Sequence, residues 1–333
     1  MRIFLTGATG AIGKRLVPLL VSRGHHVVAT TRSRAKLDGL RSAGTEPVFL
    51  DALDSEGVME AVLSSRPDVV VHQATALAEV RSFRNFDAEF ALTNRLRTEG
   101  TGNVLKAAEA AGVRRVVAQS YTGWPNVRDA GRVKTEDDPL DPNPPRTMVR
   151  TLDAIRRLED MVTRAQEITG IVLRYGSFYG PGTSIAPDGY VVEMVQHRRF
   201  PIFGDGSGVW SFVHIDDAAR ATVLAAEGKA TGIYNIVDDE PAEVSVWLPE
   251  LARDLGARPP LRLPAWIGRM VLGEAGMSMM NAVRGSSNGK AKRVLGWHPN
   301  DASWRQGFRR ELASKPAGIR PQQSTMTEPR GLL

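Results

Sequence analysis

Three glycines at three-residue spacing, Gly7, Gly10 and Gly13, constrain this chain more than any other feature. They follow the apolar run Ile3-Phe4-Leu5, which lacks the polar alternation of a half-exposed strand and reads as one buried on both faces of a parallel sheet. After them, Leu16, Val17, Leu19 and Leu20 recur at helical spacing between Lys14 and Arg23. Strand, glycine turn and helix in that order make a phosphate cradle. Glycine lets the backbone approach a pyrophosphate, and the helix start offers free N–H groups and the positive end of its dipole. The segment Gly7, Thr9, Gly10, Ala11, Ile12 and Gly13 is therefore expected to bind a dinucleotide.

The second strand, His26 to Thr31, ends where an acidic residue would hold the ribose hydroxyls of NAD. Thr31 stands there instead, followed by Arg32, Arg34 and Lys36. A small hydroxyl and a guanidinium suit a 2′-phosphate, so NADP is expected over NAD; the alternative is three surface charges opening a helix. A third strand, Pro47 to Leu50, leads to Asp51 and Ala52, and Asp54 is expected to cap a helix over 55–65. Asp51 either touches the adenine amino group or closes a turn. A fourth strand over 68–72 brings Gln73 and Ala74 beside the cofactor, with His72 read as a packed strand-end residue. Asn94 lies in a helical stretch over 86–111. A fifth strand, 114–119, ends in Gln119 and is followed by Tyr121, Thr122 and Trp124; a helix over 147–169 and a sixth strand over 171–174 complete the alternation. This pattern predicts an α/β fold with a doubly wound parallel sheet.

From Tyr175 the alternation breaks and Gly and Pro become dense, which predicts a smaller lobe over the carboxyl ends of the strands. The expected division is a dinucleotide-binding domain over 1–174 to which 209–238 returns, with a helix capped by Asp216 or Asp217. A substrate lobe is expected over 175–208 and 239–315, and a disordered tail over 316–333. Among 333 residues there is no cysteine, which excludes disulfides, thiol nucleophiles and cysteine-ligated zinc; no metal site is expected. The net charge of +6 is scattered, with no nucleic-acid recognition motif. With a cofactor strand from residue 2 and no long apolar run, the expectation is a cytoplasmic protein without membrane or nucleic-acid partners.

Together these residues resemble the extended short-chain dehydrogenase/reductase family, which includes sugar-nucleotide epimerases and dehydratases. The resemblance rests on residues 6–13, on Asn94 with Gly100-Thr101-Gly102-Asn103-Val104-Leu105, and on Leu173-Arg174-Tyr175-Gly176 through Tyr179-Gly180-Pro181-Gly182. Phe212-Val213-His214-Ile215-Asp216-Asp217 and Leu295-Gly296-Trp297-His298-Pro299 extend it to about residue 315. It implies a nicotinamide cofactor touched also by Tyr175, and a homodimer formed by the long helices on either side of the fifth strand. It also implies a catalytic Tyr-x-x-x-Lys, in which the lysine lowers the tyrosine pKa.

The chain departs from that pattern twice. Aligned on Leu158-Glu159, Thr151 replaces the tyrosine and Ile155 the lysine, and between Tyr121 and Tyr175 the only lysine is Lys134. Tyr121, with Thr122, is then the best substitute for handling a substrate oxygen; the equal alternative is that Tyr121 only packs on the cofactor or lines the pocket. Where nucleotide-sugar members of the family carry a pyrophosphate-gripping arginine, this chain has Trp210, which lacks the bidentate fork. Trp210 and Trp124 are therefore expected to line a pocket for a small, partly apolar metabolite. The reading is an NADP(H)-dependent oxidoreductase acting on a carbonyl or alcohol. Its rivals are a silent dinucleotide sensor and an epimerase or dehydratase that retains its cofactor.

Overall fold

The computed structural model describes residues 1–77, 84–129 and 131–312; the tail expected over 316–333 lies outside them. Seven strands form one parallel sheet: β1 (Arg2–Thr6), β2 (His26–Thr31), β3 (Glu46–Phe49), β4 (Val69–His72), β5 (Arg115–Tyr121), β6 (Thr169–Tyr175) and β7 (Gly232–Ile236). Their order is β7-β6-β5-β4-β1-β2-β3, with all pairs parallel. The order reverses between β1 and β4. A crevice opens there at the carboxyl ends of the strands, and the glycine turn stands at its edge.

The helices cover both faces, and the strand sequences show why. Ile3, Leu5, Val69 and Val71 point to one face, against Leu16 and Leu20 of α1 (Gly13–Ser22); Phe4, Val28, Val70 and Val116 point to the other. Two short helices follow, α2 (Leu37–Ser42) and α3 (Ser55–Ser65), and Asp54 caps the latter by accepting the Gly57 N–H at 3.1 Å. The stretch read as one helix over 86–111 is segmented into α4 (Phe86–Glu89), α5 (Ala91–Arg95), a π-helical turn at Leu96–Gly100 and α6 (Thr101–Ala110). The wide turn brings the Leu96 carbonyl to 3.5 Å from His72 Nε2. Helix α7 (Val149–Thr163) is shorter than expected and stops six residues before β6 begins.

A second hydrophobic core, with Phe212, Trp247, Trp304 and Phe308 in it, draws on α8 (Tyr190–Gln196), α10 (Val244–Asp254), α11 (Ala265–Asn281) and α12 (Trp304–Leu312). Between α8 and α10, α9 (Ile215–Glu227) packs back on the main sheet with β7. Its cap differs from the expectation: His214 Nδ1 accepts the Asp216 N–H at 3.2 Å. Asp216 instead pairs with Arg15 of α1, and Asp217 accepts the Asn300 N–H. The extended segment 209–214 is broken at Ser211. Val209–Trp210 pairs with Ala242–Glu243, and Phe212–His214 pairs with Ser177–Tyr179, so neither piece joins the main sheet.

Candidate functional site

At the cradle, Gly7 adopts φ +75°, and a Cβ there would lie 2.6 Å from the Gln73 carbonyl oxygen. At Gly13 it would lie 2.3 Å from the carbonyl oxygen of Gly7. These two glycines serve the fold, since a side chain would strike backbone that cannot move aside. Gly10 differs: it is exposed, and its Cβ would meet only the Gly7 oxygen, at 3.3 Å. Its missing side chain leaves open space beside the start of α1, whose Ile12 cap supplies no side-chain acceptor for the first N–H groups. An uncapped helix start behind an open glycine fits a pyrophosphate.

The flanking residues fit the remainder of a dinucleotide. Thr9 and Thr31 hydroxyls are 3.2 Å apart, and Thr31 Oγ1 accepts the Ser33 N–H. Arg32 is exposed at the end of β2, while Arg34 stacks over Phe49 at 4.2 Å. Asp51 closes its own turn by accepting the Leu53 N–H at 3.0 Å, and the Ala52 carbonyl accepts from Asn103. Ala11, Ala74 and Gln119 are half-buried along the crevice. His72 is buried under it, 2.7 Å from Thr6 Oγ1, and burial lowers its pKa to about 4. It is therefore a neutral packing residue at neutral pH, as the sequence suggests.

Three side chains expected at the cofactor are committed to protein. Tyr175 is 2% exposed, and its hydroxyl meets Thr222 at 2.7 Å and the Gln73 amide at 3.2 Å. Both Tyr175 and Gln73 thus face the α9 side of the sheet. Asn94 donates to Thr151 Oγ1 at 3.0 Å and accepts from Arg97.

The positions aligned with the family's Tyr and Lys are structural. Thr151 and Ile155 are both wholly buried on α7. Thr151 donates its hydroxyl (2.6 Å) and backbone N–H (2.8 Å) to Asp87, which also accepts the Arg150 N–H and so caps α7 from α4. Ile155 packs with Phe86, Trp124, Leu152 and Met279. Lys134 is buried away from α7 in a two-residue strand, 3.3 Å from Asp129.

Four of the sequence-predicted residues do come together. Tyr121, Thr122, Trp124 and Trp210 line one narrow cleft with Ser177, Ser211, Val209, Met279 and Val283. The Tyr121 hydroxyl lies 3.0 Å from Ser177 Oγ, and burial raises its pKa, so the phenol stays protonated. Thr122 is spent on structure: its hydroxyl is 2.6 Å from Ser286 Oγ, which also accepts from Asn126. The indole of Trp210 is fixed by its bond to the Met279 carbonyl at 2.9 Å. Ser177 and Ser211 were not singled out from sequence. The one signal available was Ser177's place three residues after Arg174, within the Leu173–Gly182 segment. Among the described residues, no group of three or more His, Cys, Asp or Glu could hold a metal ion, and no helix is long and apolar enough to cross a membrane.

Known proteins resemble this chain in sequence and in fold. A 3-diazoavenalumate denitrifying reductase of a Streptomyces species is 44% identical over 314 residues, covering 93% of this chain and 100% of that protein. A 4-hydroxy-2-methyl-3-oxo-4-farnesyl-3,4-dihydroquinoline-1-oxide ketoreductase of Stigmatella aurantiaca is 29% identical over 262 residues, covering 78% of this chain and 74% of that one. The crystal structure of a Thermus thermophilus UDP-glucose 4-epimerase in complex with NAD superimposes with a TM-score of 0.72 at 25% identity, over 94% of this chain and 98% of that one. The sequence model described as the NAD dependent epimerase/dehydratase family matches residues 3–237. With that match over most of the Rossmann core, and a cradle shaped for the cofactor, the chain belongs to the NAD-dependent epimerase/dehydratase family of extended short-chain dehydrogenases/reductases, as an oxidoreductase-like enzyme.

Proposed function

We propose that the protein is an NADP(H)-dependent reductase of a small, partly apolar metabolite that is not a nucleotide sugar. We further propose that it acts on a substrate bearing a diazo group, as the name of the Streptomyces relative states for that protein, and that hydride is delivered to the diazo-bearing carbon. Bound at the cradle, the reduced nicotinamide supplies a hydride. One observation carries the choice of acceptor: Thr151 and Ile155 are locked into the packing of α7, leaving the cleft without a proton relay.

A ketone needs a proton on its oxygen as hydride reaches its carbon, and losing a positioned acid typically forfeits ~10²–10⁴ in rate. An aryl diazonium carbon does not. A C–H bond forms from the hydride, the C–N bond breaks, and dinitrogen leaves with that bonding pair; the charges of cation and hydride cancel. The chain's task is then to hold the ring and exclude water. Among the described residues no charged side chain lines the cleft, and its Tyr and Trp faces favour a cationic head group. Absence of an arginine at Trp210 also leaves no fork for a substrate pyrophosphate.

Carbonyl reduction is the second reading, because Tyr121 is a protonated phenol facing the cleft. The test separates the two. The protein, NADPH and an arenediazonium salt are followed for NADPH loss and dinitrogen release above the enzyme-free rate, beside a panel of ketones. The expected result is one dinitrogen per NADPH, with Tyr121→Phe lowering kcat less than ~3-fold. A fall of ~10²-fold or more on a ketone would favour the second reading, and no turnover of either class would refute both.

A further inference from the structure

We propose that the outer face of α11 over 265–272, with the loop that leads into it, docks on an anionic lipid surface. The proposal is independent of the reductase reading and uses none of the cleft residues.

A helix on a protein surface is normally apolar on one side and polar on the other. The first half of α11 departs from that rule. It ends at Gly273, whose φ of +67° interrupts the helix, and Arg269 is the only charged residue over 265–272. On the inner side Gly268 is buried against Phe203 and Met277, and Ile267 and Leu272 pack on the second hydrophobic core. On the outer side Trp266 and Met270 lie one helical turn apart and are 62% and 67% exposed. They are the two most exposed large apolar side chains among the described residues. Val271, and Leu261 in the preceding loop, are exposed as well. Single exposed apolar residues are common on any protein; an indole and a thioether sharing one helix face form a patch.

The charge around the patch identifies what covers it. No Asp or Glu occurs between Asp254 and Glu274, a stretch that holds Arg258, Arg262 and Arg269. A second stretch without acids, 194–204, is tied to the first: Arg262–Leu263 pairs in parallel with Ile202–Phe203, and Arg198 Nε donates to the Pro259 carbonyl at 2.9 Å. It adds Arg198 and Arg199. All five arginines are exposed, and among the described residues none forms an ion pair with a carboxylate. An arginine lays its methylene stem along apolar surface while its guanidinium meets phosphate. Tryptophan suits the boundary between headgroups and acyl chains. Apolar area and positive charge together are what an anionic bilayer surface binds. A second copy of the chain fits less well, because a two-fold axis through the patch would set guanidinium groups against guanidinium groups. An acidic protein surface would satisfy the arginines and leave Trp266 and Met270 uncovered.

Sedimentation of the full-length protein with vesicles of phosphatidylcholine alone, and of phosphatidylcholine and phosphatidylglycerol in equal parts, tests this. Binding to the anionic vesicles is expected to be at least ~10-fold tighter, since each arginine near such a surface adds to the attraction, and to weaken as salt is raised. Arg262→Glu with Arg269→Glu should lower it ~10-fold or more, and Trp266→Ser with Met270→Ser by a similar factor. These changes fall on exposed side chains, so an unchanged melting temperature is the control for folding. Brominated acyl chains locate the contact, because bromine quenches a tryptophan that enters them and Trp266 is the only exposed tryptophan. Quenching should appear with the parent and vanish in Trp266→Phe, which still sediments with the vesicles. Equal binding to both vesicle types, binding to neither, or quenching that persists in Trp266→Phe would overturn the proposal. So would a dimer, formed without lipid, that Trp266→Ser dissociates, which assigns the face to a second copy. Polyglutamate bound as tightly as the anionic vesicles would overturn it in favour of an acidic protein.

Discussion

The glycine turn and the Tyr121 cleft face the same crevice but are built by opposite means. The turn is made of consecutive residues whose backbone does the work: Gly7 and Gly13 have no room for a side chain, and Gly10 keeps open space in front of α1. The cleft is made of side chains from four distant segments, at Tyr121–Trp124, Ser177, Val209–Ser211 and Met279–Val283. A binding surface of main-chain groups tolerates little change, because altering it alters the fold. One of side chains can exchange its chemistry while the strands beneath stay in place. This division explains how a chain can keep a family's cofactor cradle while its proton-relay positions become core.

The largest effect should come from forcing the family's residue back into that core. Ile155→Lys would place an ammonium in the hydrophobic cluster of Phe86, Leu152 and Met279. An uncompensated buried charge costs about 3–5 kcal/mol. Urea denaturation should show a loss of that size, and Thr151→Tyr with Ile155→Lys should gain no reductase activity. A double variant as stable as the parent would mean that the site is still arranged for the pair, and the contrast between the regions would fail.

Next in size is a pH effect at the cradle's floor. His72 titrates near 6.5 when unfolded and at about 4 when folded, because burial disfavours its cation. Between those values the unfolded chain holds the extra proton. Stability is therefore fully present above about pH 6.5 and falls as pH drops toward 4, by up to ~3 kcal/mol. Denaturation midpoints at pH 7 and 4.5 check this against His72→Asn, whose amide keeps a polar group near Thr6. The parent should lose more stability than the variant over that interval; equal losses would place the proton elsewhere.

How much of each region could be read in the sequence follows from the same contrast. The sheet, the cradle and the packed role of His72 were legible because each rests on short-range patterns: apolar runs, glycine spacing and a strand-end position. That α7 contains neither Tyr nor Lys is plain from its sequence. The partners of the buried hydroxyls are not. The lock of Thr151 on Asp87 spans 64 residues, and that of Thr122 on Ser286 spans 164. Nothing local announces such partners. The cap of α9 was misassigned for a related reason: Asp216 and Asp217 both suit a cap, but Arg15 and the Asn300 amide claim them, and the imidazole of His214 is left to do it. Tyr175 sits in a family segment, yet its phenol turns to Thr222, a side chain on the opposite side of β6 from α7.

The smallest effect separates the cradle's backbone from its one side-chain choice. Recognition of the pyrophosphate by glycines and N–H groups is common to both nicotinamide cofactors, so discrimination has to come from residues at the end of β2. Thr31 is buried and bonded to Thr9 and Ser33, and the exposed Arg32 follows it with a guanidinium that suits a 2′-phosphate. Arg34 lies over the Phe49 ring, 4.2 Å from its centroid. Arg32→Asp removes the guanidinium and adds repulsion toward the phosphate, while an acidic group here can accept from ribose hydroxyls. Fluorescence titration should show NADPH affinity falling about 10-fold, equivalent to ~1.4 kcal/mol, with NADH binding unchanged or tighter. Equal weakening of both cofactors would mean that Arg32 supports the loop rather than selecting the phosphate. Discrimination at the cradle would then belong to its backbone, and the separation drawn here between main-chain and side-chain recognition would not hold within the cofactor site.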